Sequence, residues 1–383
     1  MKPTQAPPAP GVLRVACIAS GLGHVRRGLE IWMAQLTREL QDHPQVDAEA
    51  WGSCRSSQPF PSRRIRMIPR DSRLLKPLRW HTRYHLEQMS AVLPSVLALR
   101  RRRVQIAFCA DPSLGWNLKR FQRWHGSKVI FSDGVRLSPR WLQSYDGVHL
   151  LTPTYLTDAR LAVSPDRFDR FFAIPYFVDT SLFRPGSEAE RQVLRRTLGI
   201  PSDHRVVLSV GPVGTDSSKR LDHLAQEVAA TGDDRWTLLS VGADETGASH
   251  VRTRCEIALG QRMRFLGSQP REKLRDLFLS ADIYALGALA EPFSIAIIEA
   301  LACGLPVIHH RFPVTEWITG KAGIAVDMSR PGSAAEALVR FSLGDDPEGR
   351  RRAAALELAQ GRYAPQIVAA QLIEQFRAAL QKP

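Results

Sequence analysis

Two glutamates, Glu291 and Glu299, stand eight residues apart in the stretch Glu291-Pro292-Phe293-Ser294-Ile295-Ala296-Ile297-Ile298-Glu299. The first falls in a loop, and the second on a helix predicted from about residue 294 to 303. Eight helical residues make a little over two turns at ~3.6 residues per turn, so both carboxylates reach one ligand if the loop curls back. Carboxylates accept paired hydrogen bonds from hydroxyls such as those of a ribose or a hexose. The helix start near Phe293 and Ser294 offers free backbone N–H groups, which suit a phosphate oxygen or a sugar hydroxyl. A plainer reading makes Glu291 an electrostatic partner of the helix N-terminus and Glu299 an exposed helix residue. Yet Glu299 stands between Ile298 and Ala300 in an otherwise apolar helix. A carboxylate there requires a partner.

Other candidates are weaker taken singly. The turn Ser20-Gly21-Leu22-Gly23-His24 follows an apolar run at 13–18 and precedes a helical pattern, with Arg26 and Arg27 close behind. A lone Gly-x-Gly of this kind often reflects close helix packing, and a histidine at a helix start is more often exposed to water. Asp133 precedes Gly134 and Asp111 precedes Pro112, positions where aspartate routinely caps a loop. Lys219 opens a predicted helix, where a surface lysine is equally ordinary. No Asp-x-Asp follows a strand, and the eleven histidines form no helical pair with ligand spacing, so no catalytic metal and no bound cofactor are expected. The five cysteines are scattered singly, the usage of small buried hydrophobes in a reducing, cytoplasmic compartment.

The elements that must position these groups follow one pattern. Apolar strand candidates at 13–18, 104–109, 128–131 and 147–151 alternate with helical stretches, the mark of a parallel sheet flanked by helices. A second series places strands at 205–210, 236–241, 263–266, 283–286 and 307–308, nearly all with a glycine within a few residues of the strand end. The chain of 383 residues exceeds the size at which one core keeps growing. We therefore expect an α/β protein with a proline-rich tail over 1–11, a Rossmann-like domain over 12–177 and a second over 178–360. A hinge is expected at 175–185, and a terminal helical segment, 361–383, packs back on the first domain. Ligands in such sheets bind at the carboxyl ends of the strands, and two sheets facing each other form a cleft.

The net charge of +14 is uneven: 27 Lys and Arg oppose 14 Asp and Glu in residues 1–180, against 25 and 24 in the rest. The first half is therefore the part expected to meet an anion. Its densest stretch, 63–83, interleaves seven arginines and Lys76 with Leu74, Leu75, Leu78 and Trp80, and Tyr84 follows. That mixture suits peripheral contact with an anionic membrane surface as well as a plain solvated face.

The glutamate pair, followed by a small-residue helix and the turn Gly304-Leu305-Pro306-Val307, resembles the retaining glycosyltransferases of family 4, which have the GT-B architecture. The resemblance extends through Val178 to Pro185, Leu208-Ser209-Val210-Gly211 with Lys219, Leu239 to Gly242, Arg264 to Gly267 and Ser280-Ala281-Asp282. It implies two Rossmann-like domains facing across a cleft and a nucleotide diphosphate sugar as donor. It further implies that Glu299 binds the donor ribose, that Glu291 lies by the sugar ring, and that Phe293 and Ser294 hold sugar and diphosphate. Lys219 would stabilise the leaving diphosphate, and Gly21, Gly23 and His24 would line its approach. Retention of configuration and domain closure about the hinge belong to the same set of implications. Two departures stand out. The family's arginine after the strand-ending glycine is replaced by Pro212, so either Arg220 substitutes or Lys219 and the helix end hold the diphosphate alone. The family's first-domain histidine aligns best with Asp133, with Asp111 the second candidate. Rival readings are a GT-B sugar-nucleotide epimerase or phosphorylase and a non-catalytic binding protein of the same fold. The expected partners are the donor and a small-molecule, glycan or lipid-linked acceptor, with no nucleic acid.

Overall fold

The computed structural model describes residues 11–25, 28–53, 62–344 and 349–382. The predicted tail, Arg26, Arg27 and Cys54 lie outside these residues, apart from Gly11. The chain divides into two compact units, one comprising the residues up to Tyr176 together with those from Pro365 onward, the other Phe177–Ala364.

The first unit is built on seven parallel strands: β1 (Leu13–Ile18), β2 (Val46–Gly52), β3 (Ser62–Arg64), β4 (Ile106–Cys109), β5 (Lys128–Ser132), β6 (Gly147–Leu150) and β7 (Phe171–Ala173). They lie in the order β3-β2-β1-β4-β5-β6-β7. β1, β4, β5 and β6 are almost wholly buried, because helices cover both faces of the sheet, and their sequences are accordingly mainly apolar. The last helix, Pro365–Gln381, belongs here: Phe376 packs on Phe108 with ring centroids 5.3 Å apart, and Arg377 reaches Gln45 at 2.7 Å. Pro365 separates it from the helix Arg350–Gln360, since proline is favoured at a helix start and not inside.

The second unit has six parallel strands, β8 (Arg205–Val210), β9 (Trp236–Val241), β10 (Met263–Phe265), β11 (Ile283–Leu286), β12 (Val307–His310) and β13 (Gly323–Val326), in the order β10-β9-β8-β11-β12-β13. Trp236, Leu238, Ile283, Ala285 and Ile308 join Leu224, Val228 and Leu338 from the helices in one core. Both sheets reverse their strand order once, between β1 and β4 in the first and between β8 and β11 in the second. At such a reversal the two neighbouring connections leave on opposite faces and open a crevice at the carboxyl ends. The residues singled out from sequence, Asp133 apart, follow these four strands.

Candidate functional site

In the second unit the approach is prepared by glycines. A Cβ on Gly242, after β9, would stand 1.9 Å from the Gly211 carbonyl oxygen. One on Gly211, after β8, would meet the Lys219 Cγ at 2.6 Å, and one on Gly287, after β11, the backbone oxygens of Lys219 and Arg220 at 2.8 and 2.9 Å. With hydrogens in these places, the Lys219 loop settles onto the end of the sheet. Arg220 is left-handed, with φ of 49°, just before the helix Leu221–Ala229. Its guanidinium turns to the backbone and donates to the carbonyl oxygens of Met328 at 3.0 Å and Gly287 at 3.4 Å. It fixes the loop.

Lys219 extends from that loop and forms an ion pair with Glu291, which is itself buried in the loop after β11. The helix Ile295–Ala302 begins four residues later, with Ser294 at its N-cap and no acidic residue in its first turn. Those first N–H groups carry the positive end of the helix dipole. Glu299 is buried on this helix, only 3% exposed, and its partner is Arg271 from another helix, Arg271–Ser280. The Nη1 of Arg271 lies 3.0 Å from Glu299 Oε1, and the guanidinium lies over the Phe183 ring at 4.8 Å. Burial pushes the Glu299 carboxyl up to about 7, against the opposing pull of Arg271. Tyr284 of β11 lies within the field of both glutamates: burial first, then the charges of Glu291 and Glu299, raise its hydroxyl above the ordinary phenol range. Lys219 and Glu291 are thus in contact, while Glu299 is held separately by Arg271. The sequence offered no role for Arg271. Its one signal is the need of a buried carboxylate for a cation, which does not name the cation.

In the first unit the turn after β1 meets the end of β4. Asp111 accepts from the Ser20 backbone N–H and from the Tyr84 hydroxyl at 2.8 Å, and burial raises its carboxyl above the usual range. A Cβ on Gly21 would come 2.3 Å from the Glu30 carboxylate, and Gly23 has φ of 98°. His24 does not face water. Its Nδ1 lies 2.6 Å from Ser53 Oγ and its Nε2 2.9 Å from Glu87 Oε2, the latter fully buried. Arg70 binds the same Glu87 at 2.6 Å and lies over the Tyr84 ring at 4.3 Å. Burial would raise Glu87, but hydrogen bonds from His24 and Arg70 outweigh it and hold the carboxyl down at about 2. Asp133 occupies a different loop, after β5. Its carboxylate accepts from the N–H groups of Val135 and Leu137, and burial raises it to about 6. Among the described residues no group of three or more His, Cys, Asp or Glu is placed to hold a metal ion. No described helix is long and apolar enough to cross a membrane. The four described cysteines are buried and free.

Comparison with known proteins places this geometry in context. Residues 204–342, from β8 past β13, match the family model described as "Glycosyl transferases group 1". Curated relatives include the D-inositol 3-phosphate glycosyltransferases of Corynebacterium urealyticum, 29% identical over 58% of this chain and 55% of the relative, and of Mycobacterium leprae strain TN, 30% identical over 48% and 44%. The chain spans about half the length of the curated relatives it matches. Among solved structures, sucrose-phosphate synthase from Thermosynechococcus elongatus superposes with a TM-score of 0.76 at 20% identity, covering 96% of this chain and 99% of that one. Anabaena Alr3699/HepE in complex with UDP and glucose gives 0.74 at 16% identity, covering 96% and 100%. The fold is shared: two Rossmann-like domains of the kind found in GT-B glycosyltransferases.

Proposed function

We propose that this chain transfers a hexose-type sugar from a nucleotide diphosphate donor to an acceptor hydroxyl, with retained anomeric configuration and without a metal ion. The observation that carries this reading is the contact of Lys219 with Glu291 at the β8–β11 crevice, followed by buried Glu299, inside the segment that matches the glycosyl transferase model. Each group then has a task. Arg271 holds Oε1 of Glu299, and the second oxygen receives a ribose hydroxyl. The N–H groups after Phe293 and Ser294 face the diphosphate or the sugar. An ammonium has three donors, so Lys219 serves Glu291 and a phosphate oxygen together.

In the reaction the bond between the sugar C1 and the diphosphate oxygen breaks, and its electron pair stays with the phosphate. The acceptor oxygen bonds to C1 from the same face, and its proton passes to the departing phosphate oxygen. Negative charge grows on the diphosphate as it leaves, which is where Lys219 stabilises the transition state. In the first unit Asp133, or Asp111 in its place, positions the acceptor. Inositol phosphates, after the curated relatives, are the first acceptors to try.

Thermal stabilisation of the purified protein against a panel of nucleotide diphosphates and nucleotide sugars tests the reading. A base-selective rise in Tm that disappears in Glu299→Ala is expected. A folded protein that responds to no nucleotide refutes it. Conversion of the donor sugar with no acceptor present would favour the epimerase instead.

A further inference from the structure

The helix Trp80–Arg102 in the first unit is inverted with respect to an ordinary surface helix. Its inward face buries polar side chains: Glu87, Gln88 and Ser95 alongside Ala91, Val92, Val96 and Leu99. Its outward face carries Leu86, Met89, Leu93 and Leu97, exposed by 38%, 39%, 66% and 42%. Their spacing of three, four and four residues places them in one line, about 17 Å long at ~1.5 Å per residue. Between Arg83 and Arg100 the helix has no lysine or arginine, and its one carboxylate, Glu87, is turned inward. Single exposed leucines need no explanation, but an uninterrupted apolar stripe does.

Cations bracket the stripe. Arg73, Lys76 and Arg79 precede it, and Arg100, Arg101 and Arg103 follow it, all exposed. Among the described residues none of these six has an acidic partner, whereas Arg70 within the same basic stretch is consumed by Glu87 and Arg102 by Glu49. Leu74, 82% exposed, and Leu78 and Trp80 extend the apolar surface among the leading cations. We infer that this face docks on a lipid surface carrying anionic headgroups, with the leucine stripe entering the interface and the arginine clusters on the phosphates. A second copy of the chain is the poorer occupant. Two copies laid face to face, in either direction, bring arginine clusters onto arginine clusters, and like charges so placed repel. Nucleic acid would use the cations and leave the leucines in water. The inference stands on this face alone and does not depend on the donor site.

Co-sedimentation of the full chain with vesicles tests it, comparing phosphatidylcholine alone with phosphatidylcholine containing phosphatidylglycerol. Two surface variants accompany the wild type: Leu86→Ser/Leu93→Ser/Leu97→Ser and Arg73→Glu/Lys76→Glu/Arg79→Glu. Circular dichroism and Tm establish that both fold. Binding is expected only to the anionic vesicles, weakened about tenfold or more by either variant, because burial of the apolar face and headgroup attraction add. Absence of vesicle binding overturns the inference. So does binding that the leucine variant leaves intact, which means surface electrostatics alone. Light scattering that reveals a dimer split by the leucine variant, with no vesicle binding, also overturns it and assigns the face to a second copy.

Discussion

Replacing Arg271 by methionine isolates the electrostatics of Glu299, because the long apolar side chain keeps contact with Phe183 while the cation is lost. The size of the effect depends on pH in a way that the buried carboxyl dictates. Folding raises Glu299 from 4.5 to about 7, so the folded state binds more protons than the unfolded state across that window. Wild-type stability therefore falls as pH rises through it and levels off above, once the carboxyl is ionised in both states. Without Arg271 the carboxyl titrates higher still, and the fall continues. Near pH 7 the wild-type group is already partly protonated, so losing the cation costs less than about 1 kcal/mol. Above pH 7 the gap widens, by at most about 1.4 kcal/mol per unit, until the carboxyl ionises in the variant as well. Urea unfolding of wild type and Arg271→Met at pH 6, 7, 8 and 9 measures the divergence, and the double variant Arg271→Met/Glu299→Gln should remove it. A loss of the same size at every pH would refute the reasoning. Arg271 would then matter for packing, and Glu299 would not be the group that its charge supports.

Two further outcomes follow from the same crevice. Lys219→Met should slow donor cleavage, followed as release of the nucleotide diphosphate, by about 100-fold or more, as loss of a group stabilising transition-state charge does; an unchanged rate would remove Lys219 from the reaction. Gly242→Ala places a methyl against the Gly211 carbonyl, where backbone and not a flexible side chain must yield, and should lower stability by about 2 kcal/mol or more. A native Tm for that variant would mean that the loop beneath Lys219 is not seated as described.

The parts of the fold that could be read in the sequence are those where a strand is buried on both faces. β1, β8, β9 and β11 are mainly apolar, with no more than two polar residues each, and their bounds coincide with the expected ones. β2 escaped because its sequence, Val-Asp-Ala-Glu-Ala-Trp-Gly, carries two acids and low β-propensity alanines. The structure accounts for them: Asp47 points to solvent, and Glu49 is paired with Arg63 and Arg102, side chains that arrive from distant elements. β3, β7 and β13 are three or four residues long at sheet edges and lack the closely following glycine that marks the equally short β10.

The same distinction between local and distant information governs the site. Gly211, Gly242 and Gly287 are visible as strand-ending glycines, and Glu291, Ser294 and Glu299 as one contiguous stretch, since a turn and a helix start are local events. What the stretch lacks is the identity of its partners. Lys219 meets Glu291 across 72 residues because β8 lies beside β11, a neighbour relation set by the reversal in strand order. Arg271 reaches Glu299 from a separate helix, and His24 turns inward because Glu87, 63 residues further on, needs a donor where burial would otherwise raise its carboxyl. In each case a buried carboxylate selects its hydrogen-bond partner, and the sheet order decides which partner is near enough to serve. Glu87 has two such donors and is held at about 2, whereas Glu299 has Arg271 alone and is left at about 7. Glu87 is therefore saturated and holds the first unit together. Glu299 retains an oxygen for another donor, and of these two buried glutamates it is the one suited to a ligand.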